Sequence, residues 1–145
     1  MTHSYESEWP QGVTVDQDLV AFFRSFYEIS DIEGVVDQYV DQFTPDATFI
    51  PATRTLKGHD QIRAIRAAQW QKVGKRTHSI DKIFPFGSNS NELMLYGTVA
   101  MESQEGSKGS LDWAARAIVS KDAPDGKYRL KFYQVYLDYG AISRL

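Results

Sequence analysis

The sequence predicts an α+β domain in which three helices precede a long antiparallel meander. Apolar residues recur at helical spacing up to about residue 73 and at alternate positions after it. Turn-rich breaks at 87–91, 104–109 and 122–126 then divide the second half into four segments, joined by loops short enough for hairpins. At 145 residues, 42% hydrophobic, the chain suits one compact domain with its own core.

Residues 1–13 contain Pro10 and Gly12 and show no periodicity, so they read as a flexible lead-in to a single domain over 14–145. Leu19, Phe22, Phe23, Phe26 and Tyr27 then share one helical face, and Thr14 with Gln17 has capping-box spacing, which predicts a helix over about 15–29. Ser30 and Glu33 repeat that spacing ahead of a second stripe, Ile32, Val35, Val36, Tyr39, Val40 and Phe43, which Pro45 ends. The two helices form a hairpin. Residues 47–50 predict a short strand and 54–57 a connection. A third helix over 59–73 places Ile62, Ile65, Gln69, Trp70 and Val73 on one face, with Arg63 and Arg66 towards its edge. Strands follow at 76–85, 92–103, 109–120 and 127–138.

The strand at 109–120 is apolar on both faces: Leu111, Trp113, Ala115, Ala117 and Val119 point one way, Asp112, Ala114, Arg116 and Ile118 the other. Three helices cover one side of such a sheet. The other side is therefore expected to pack on a second copy, giving a homodimer through Leu111, Trp113, Ala115 and Ala117. On the last strand Tyr128, Leu130, Phe132, Gln134, Tyr136 and Asp138 are expected to face inward, because Arg129 and Lys131 need solvent.

Composition excludes several chemistries. Without cysteine there is no disulfide, thiolate nucleophile, Cys-ligated zinc or iron–sulfur cluster. The three histidines are far apart, no His-x-x-x-His or Glu-x-x-His pair exists and no Gly-x-Ser-x-Gly elbow is present, so neither a metal nor a nucleophilic serine is expected. A net charge of −3 without a basic stripe makes nucleic acid a poor partner. The polar amino terminus and the lack of a stretch of about 20 apolar residues point to a cytoplasmic protein with no membrane partner.

Two amphipathic helices, Pro45-Asp46-Ala47-Thr48-Phe49 leading into a strand, Gly58-His59-Asp60-Gln61-Ile62 opening the third helix, and Asp125-Gly126-Lys127-Tyr128-Arg129-Leu130 starting the last strand come in a characteristic order. In this order, over residues 15–139, the chain resembles the SnoaL-like branch of the nuclear transport factor 2-like superfamily, which includes polyketide cyclases and scytalone dehydratase. The resemblance implies a cone-shaped α+β barrel, three helices on the concave face of a curved sheet, and a convex face that commonly dimerises. It also implies acid–base chemistry on a small hydrophobic molecule without a cofactor.

On that resemblance His78 falls where scytalone dehydratase carries a pocket histidine, and Asp31 near the carboxylate that supports it. His78 is thus the candidate general base and acid, with Asp31 orienting its ring. Arg116, placed beside Asp112 on the face taken as concave, is the candidate to hold an oxyanion. The dehydratase has a second histidine near that position, so the departure argues against its specific reaction. Gln134 and Tyr136 would bond a substrate carbonyl or hydroxyl, with Asp138 at the rim, and Tyr27, Phe49, Trp70 and Tyr96 would line the cavity. Two functions remain open at this point. One is an isomerase, cyclase or dehydratase of secondary metabolism acting on a polyketide- or terpenoid-like molecule. The other is a non-catalytic module that binds a hydrophobic ligand or supports dimerisation. An open cavity on which His78, Asp31 and Arg116 converge within hydrogen-bond reach would favour the first, one plugged by Phe and Trp side chains the second.

Overall fold

The computed structural model describes residues 3–138 and Gly140, so the last residues of the expected domain lie outside it. Helix α1 (Gln17–Ser30) buries Leu19, Phe22, Phe23, Phe26 and Tyr27, the face its spacing predicts. Its N-cap is Asp16, whose carboxylate accepts the Asp18 N–H at 2.9 Å, rather than Thr14. The expected second helix is cut to five residues, α2 (Val36–Val40). Ser30 ends α1 instead of capping α2, and Gly34 and Val35 both adopt positive φ, 79° and 43°, which no helix can continue through.

Phe43 belongs not to that helix but to strand β1 (Phe43–Pro51). Pro45 fits there because β1 and the last strand lose register between Phe43 and Thr48, where no ladder N–H is needed. A two-residue strand β2 (Leu56–Lys57) leads into α3 (Gly58–Lys72). Strands β3 (Val73–Pro85), β4 (Glu92–Ser103), β5 (Lys108–Ser120) and β6 (Arg129–Tyr136) follow close to the expected limits. The sheet runs β2-β1-β6-β5-β4-β3, antiparallel throughout except for the parallel β1–β6 pair.

The core lies between the helices and the inner face of the sheet, and it reverses two of the predicted faces. Trp113, Ala115, Ala117 and Val119 are buried in it together with Ile80, Ile83, Leu93, Leu95 and Val99. The alternate positions Asp112, Ala114, Arg116 and Ile118 therefore lie on the outer face. The reading from polarity went wrong because β5 is apolar on both faces, so its pattern carries no sign.

On β6 the error has a different cause. Val119 pairs with Leu130 and Ile118 with Phe132, leaving Lys131 as an extra residue in a bulge. Leu130 is inward, as expected, but beyond the bulge the inward positions are Tyr133 and Val135, while Gln134 and Tyr136 are turned to the outer face. Strict alternation cannot predict such a change of phase.

The lead-in is also laid onto the domain. The Glu8 N–H donates to the Asp81 carbonyl and the Ile83 N–H to the Glu8 carbonyl, each at 3.0 Å, along β3, which lies at one edge of the sheet. Trp9 packs against Phe23, with ring centres 6.1 Å apart.

Candidate active site

Between the helices and the inner sheet face lies an open cavity of about 500 Å³. Its lining is mainly apolar and aromatic, including Phe26, Tyr39, Phe49, Val99, Trp113, Tyr133 and Val135. The polar groups are few: Ser30, Arg76 and His78 belong to one wall, with Gln69, Glu102 and Ser103 elsewhere on the lining. A site of this size, mostly apolar with a few convergent polar groups, is what a small ligand needs.

His78 is carried into this cavity by β3, on the same inward alternation as Arg76 and Ile80. Its Nδ1 lies 2.6 Å from Asp31 Oδ1, and its backbone N–H donates to Asp31 Oδ2 at 2.7 Å. Asp31 sits at the C-terminal cap of α1, not in the first turn of a second helix, and its side chain is only 5% exposed. A carboxylate cannot donate, so the short Nδ1 contact places a proton on Nδ1. Nε2 then keeps its lone pair, and no partner for it is found among the described residues. Burial lowers the His78 pKa below the ordinary histidine value. Asp31 pulls it back up, and the charges of Arg76 and Arg66 push it down again. The ring is therefore neutral at pH 7 and can accept a proton.

The turn that carries Asp31 is held by two arginines whose roles sequence reasoning missed. Arg66, expected at the edge of α3, is completely buried. Its guanidinium donates to the carbonyls of Ser30 at 2.8 Å and Ile32 at 2.5 Å, where the end of α1 leaves them without helical partners. It also lies over Tyr39 at 4.4 Å and Trp70 at 5.3 Å. Desolvation and the neighbouring Arg76 lower its pKa to about 10, which still leaves it charged. Arg76 donates to the Ser30 carbonyl at 2.8 Å and hydroxyl at 2.9 Å, and packs on Trp70 at 5.1 Å. Its signal was available in the sequence: it stands two residues before His78 and so must share its face.

Of the other expected site residues, Phe49 lines the cavity. Tyr27 lies behind His78, with ring centres 5.3 Å apart, and its hydroxyl pairs with that of Tyr133 at 2.7 Å. Burial raises the Tyr27 phenol well above its ordinary pKa, which suits a packing group and not an acid. Trp70 is the platform under the two arginines and is not part of the lining. Arg116 is on the outer face, where it bonds Glu92 at 2.7 Å and lies over Phe132 at 4.8 Å. Asp112, Gln134, Tyr136 and Tyr96 are on that face too. Tyr136 donates to Gln134 Oε1 at 3.2 Å, and Tyr96 stacks on Phe84. Asp138 is outside the lining, which its neighbour Leu137 joins instead. Leu111, Trp113, Ala115 and Ala117 belong to the inner side and cannot form the dimer face assigned to them. Among the described residues no three metal-ligating side chains converge, and no helix is long and apolar enough to cross a membrane.

No family model and no curated protein matches the sequence. The structure does match solved ones. A provisionally assigned aromatic ring hydroxylase from Novosphingobium aromaticivorans is 14% identical, with a TM-score of 0.74 over 83% of this chain and 87% of that one. A provisionally assigned scytalone dehydratase from the same organism is 13% identical, with a TM-score of 0.72 over 84% and 83%. Nuclear transport factor 2 from Cryptosporidium parvum is 13% identical, with a TM-score of 0.68 over 85% and 94%. At such identities the likeness speaks for architecture alone. Helices packed on one face of a curved six-stranded sheet, with a single parallel pair, β1–β6, inside it, give this chain the nuclear transport factor 2-like fold.

Proposed function

We propose that the protein is a cofactor-independent acid–base enzyme of the isomerase, cyclase or dehydratase kind, acting on a small hydrophobic molecule of polyketide or terpenoid character. The observation that carries this reading is the buried His78–Asp31 pair opening on a cavity of about 500 Å³ that is not plugged by aromatic side chains. His78 Nε2 removes a proton from carbon next to a substrate carbonyl and can return it elsewhere, while Asp31 fixes the ring and stabilises the imidazolium that forms. The oxyanion role expected of Arg116 passes to Arg76, the arginine among the lining residues. The provisional dehydratase assignment of one structural neighbour is compatible with this chemistry.

The test needs no knowledge of the natural substrate. Cyclic ketones and tetralones are incubated with the protein in D₂O, and deuterium uptake beside the carbonyl is followed by NMR. The unsubstituted protein should accelerate uptake for the members that bind, and His78→Gln should lose on the order of 10²-fold of that rate. Equal rates in the two proteins would refute the assignment.

The second copy expected from the sequence belongs, in this reading, on the outer face. Phe84 of β3, Met94 and Tyr96 of β4 and Tyr136 of β6 expose apolar surface there, around the pair made by Arg116 of β5 and Glu92 of β4. An isologous dimer would cover this patch with its own symmetry mate.

A further inference from the structure

We propose that Tyr5, in the segment ahead of the domain, is a positioning residue for the His78–Asp31 pair. Tyr5 donates its hydroxyl to Asp31 Oδ2 at 2.9 Å. The carboxylate thus receives three hydrogen bonds: Nδ1–H of His78 on Oδ1, and both the His78 backbone N–H and the Tyr5 hydroxyl on Oδ2. With both oxygens engaged from two directions, Asp31 cannot rotate without losing a bond, and the His78 ring is fixed with it.

The segment is tied down on both sides of Tyr5. Glu8 joins the edge of β3 through its two backbone bonds, and the His3 ring N–H donates to the His78 carbonyl at 2.7 Å. The His3 and Tyr5 rings meet edge to face, with centres 4.7 Å apart. The groups that act electrostatically on this cluster come from four elements. They are Asp31 and Glu28 at the end of α1, Arg66 on α3, Arg76 and His78 on β3, and Tyr5 itself on the lead-in. Burial and the Asp31 bond raise the Tyr5 phenol well above its ordinary pKa, so it stays a donor wherever His78 titrates.

Loss of the hydroxyl removes one donor from Asp31 and leaves more of its charge to the imidazolium. Tyr5→Phe, which keeps the ring, should therefore raise the His78 midpoint by about half a pH unit, read by ¹⁵N NMR of the histidine side chains. Glu6→Gln cuts the Glu6–Arg24 ion pair of the same segment but leaves Tyr5 in place, and should not move that midpoint. In the unsubstituted protein the Tyr5 Cζ resonance should also shift at the His78 midpoint, a readout that needs no variant. A His78 titration unchanged in folded Tyr5→Phe, or a Tyr5 resonance insensitive to it, would overturn the proposal. It rests on the dyad as the working part of the site but is measured without turnover. Absent deuterium uptake would defeat the enzyme reading alone, and an unmoved titration would defeat this one alone.

Discussion

His78 and Asp31 were singled out through the resemblance to scytalone dehydratase, and the structure brings their side chains within 2.6 Å of each other. What the sequence could not display is why the turn between them holds. Arg66 looks like an ordinary edge cation on α3, yet it is buried against carbonyls that the end of α1 leaves unpaired. Such an acceptor set exists only once the chain has folded. The same burial gives His78 a stability signature. Its folded pKa is below the unfolded value of about 6.5, so the unfolded chain binds the proton more readily. The contribution of a neutral His78 to stability is complete above pH 6.5, is lost as pH falls through the interval down to the folded pKa, and levels off beneath it. Thermal unfolding between pH 7.5 and pH 5 should show Tm falling, with a smaller slope in His78→Gln. An equal slope in both proteins would place the acid sensitivity elsewhere.

At the scale of elements, the limits of β4 and β5 were legible to within a residue, because clusters of Gly, Ser, Asn or Asp bound them, whereas β3 starts three residues early, straight out of α3. Strand faces were not. One extra residue at Lys131 exchanges the two faces of β6, which is why Gln134 and Tyr136 were assigned to a cavity they do not reach. Another irregularity, between Ile80 and Lys82 of β3, lies beside Gly97 of β4. The approach there is so close that a Cβ at Gly97 would fall 1.8 Å from the Ser79 carbonyl oxygen. Backbone cannot yield as the tip of a side chain would. Gly97→Ala should therefore cost about 3 kcal/mol or more in a denaturant titration, at the upper end of what overpacking usually costs. A cost under about 1 kcal/mol would mean that β3 and β4 are free to separate at this point.

For the whole molecule, the order of helices and strands sufficed to anticipate an α+β arrangement, and the resemblance carried by its motifs supplied the cone-shaped sheet. The face expected to meet a second copy is the one the helices cover, with Trp113 and its neighbours, and the exposed band is Phe84, Met94, Tyr96 and Tyr136. Sedimentation at micromolar concentration should report a dimer, and Tyr96→Asp should shift it towards monomer without unfolding it. A wild-type monomer would leave that band without a second copy. The enzyme reading itself is tested most directly by the pH profile of deuterium uptake into a bound cyclic ketone. The rate should rise along a single titration centred below pH 6.5, reach a plateau at neutral pH as His78 becomes a free base, and fall on the order of 10²-fold in His78→Gln. A rate that does not change across this range, or one that survives the loss of His78, would contradict it.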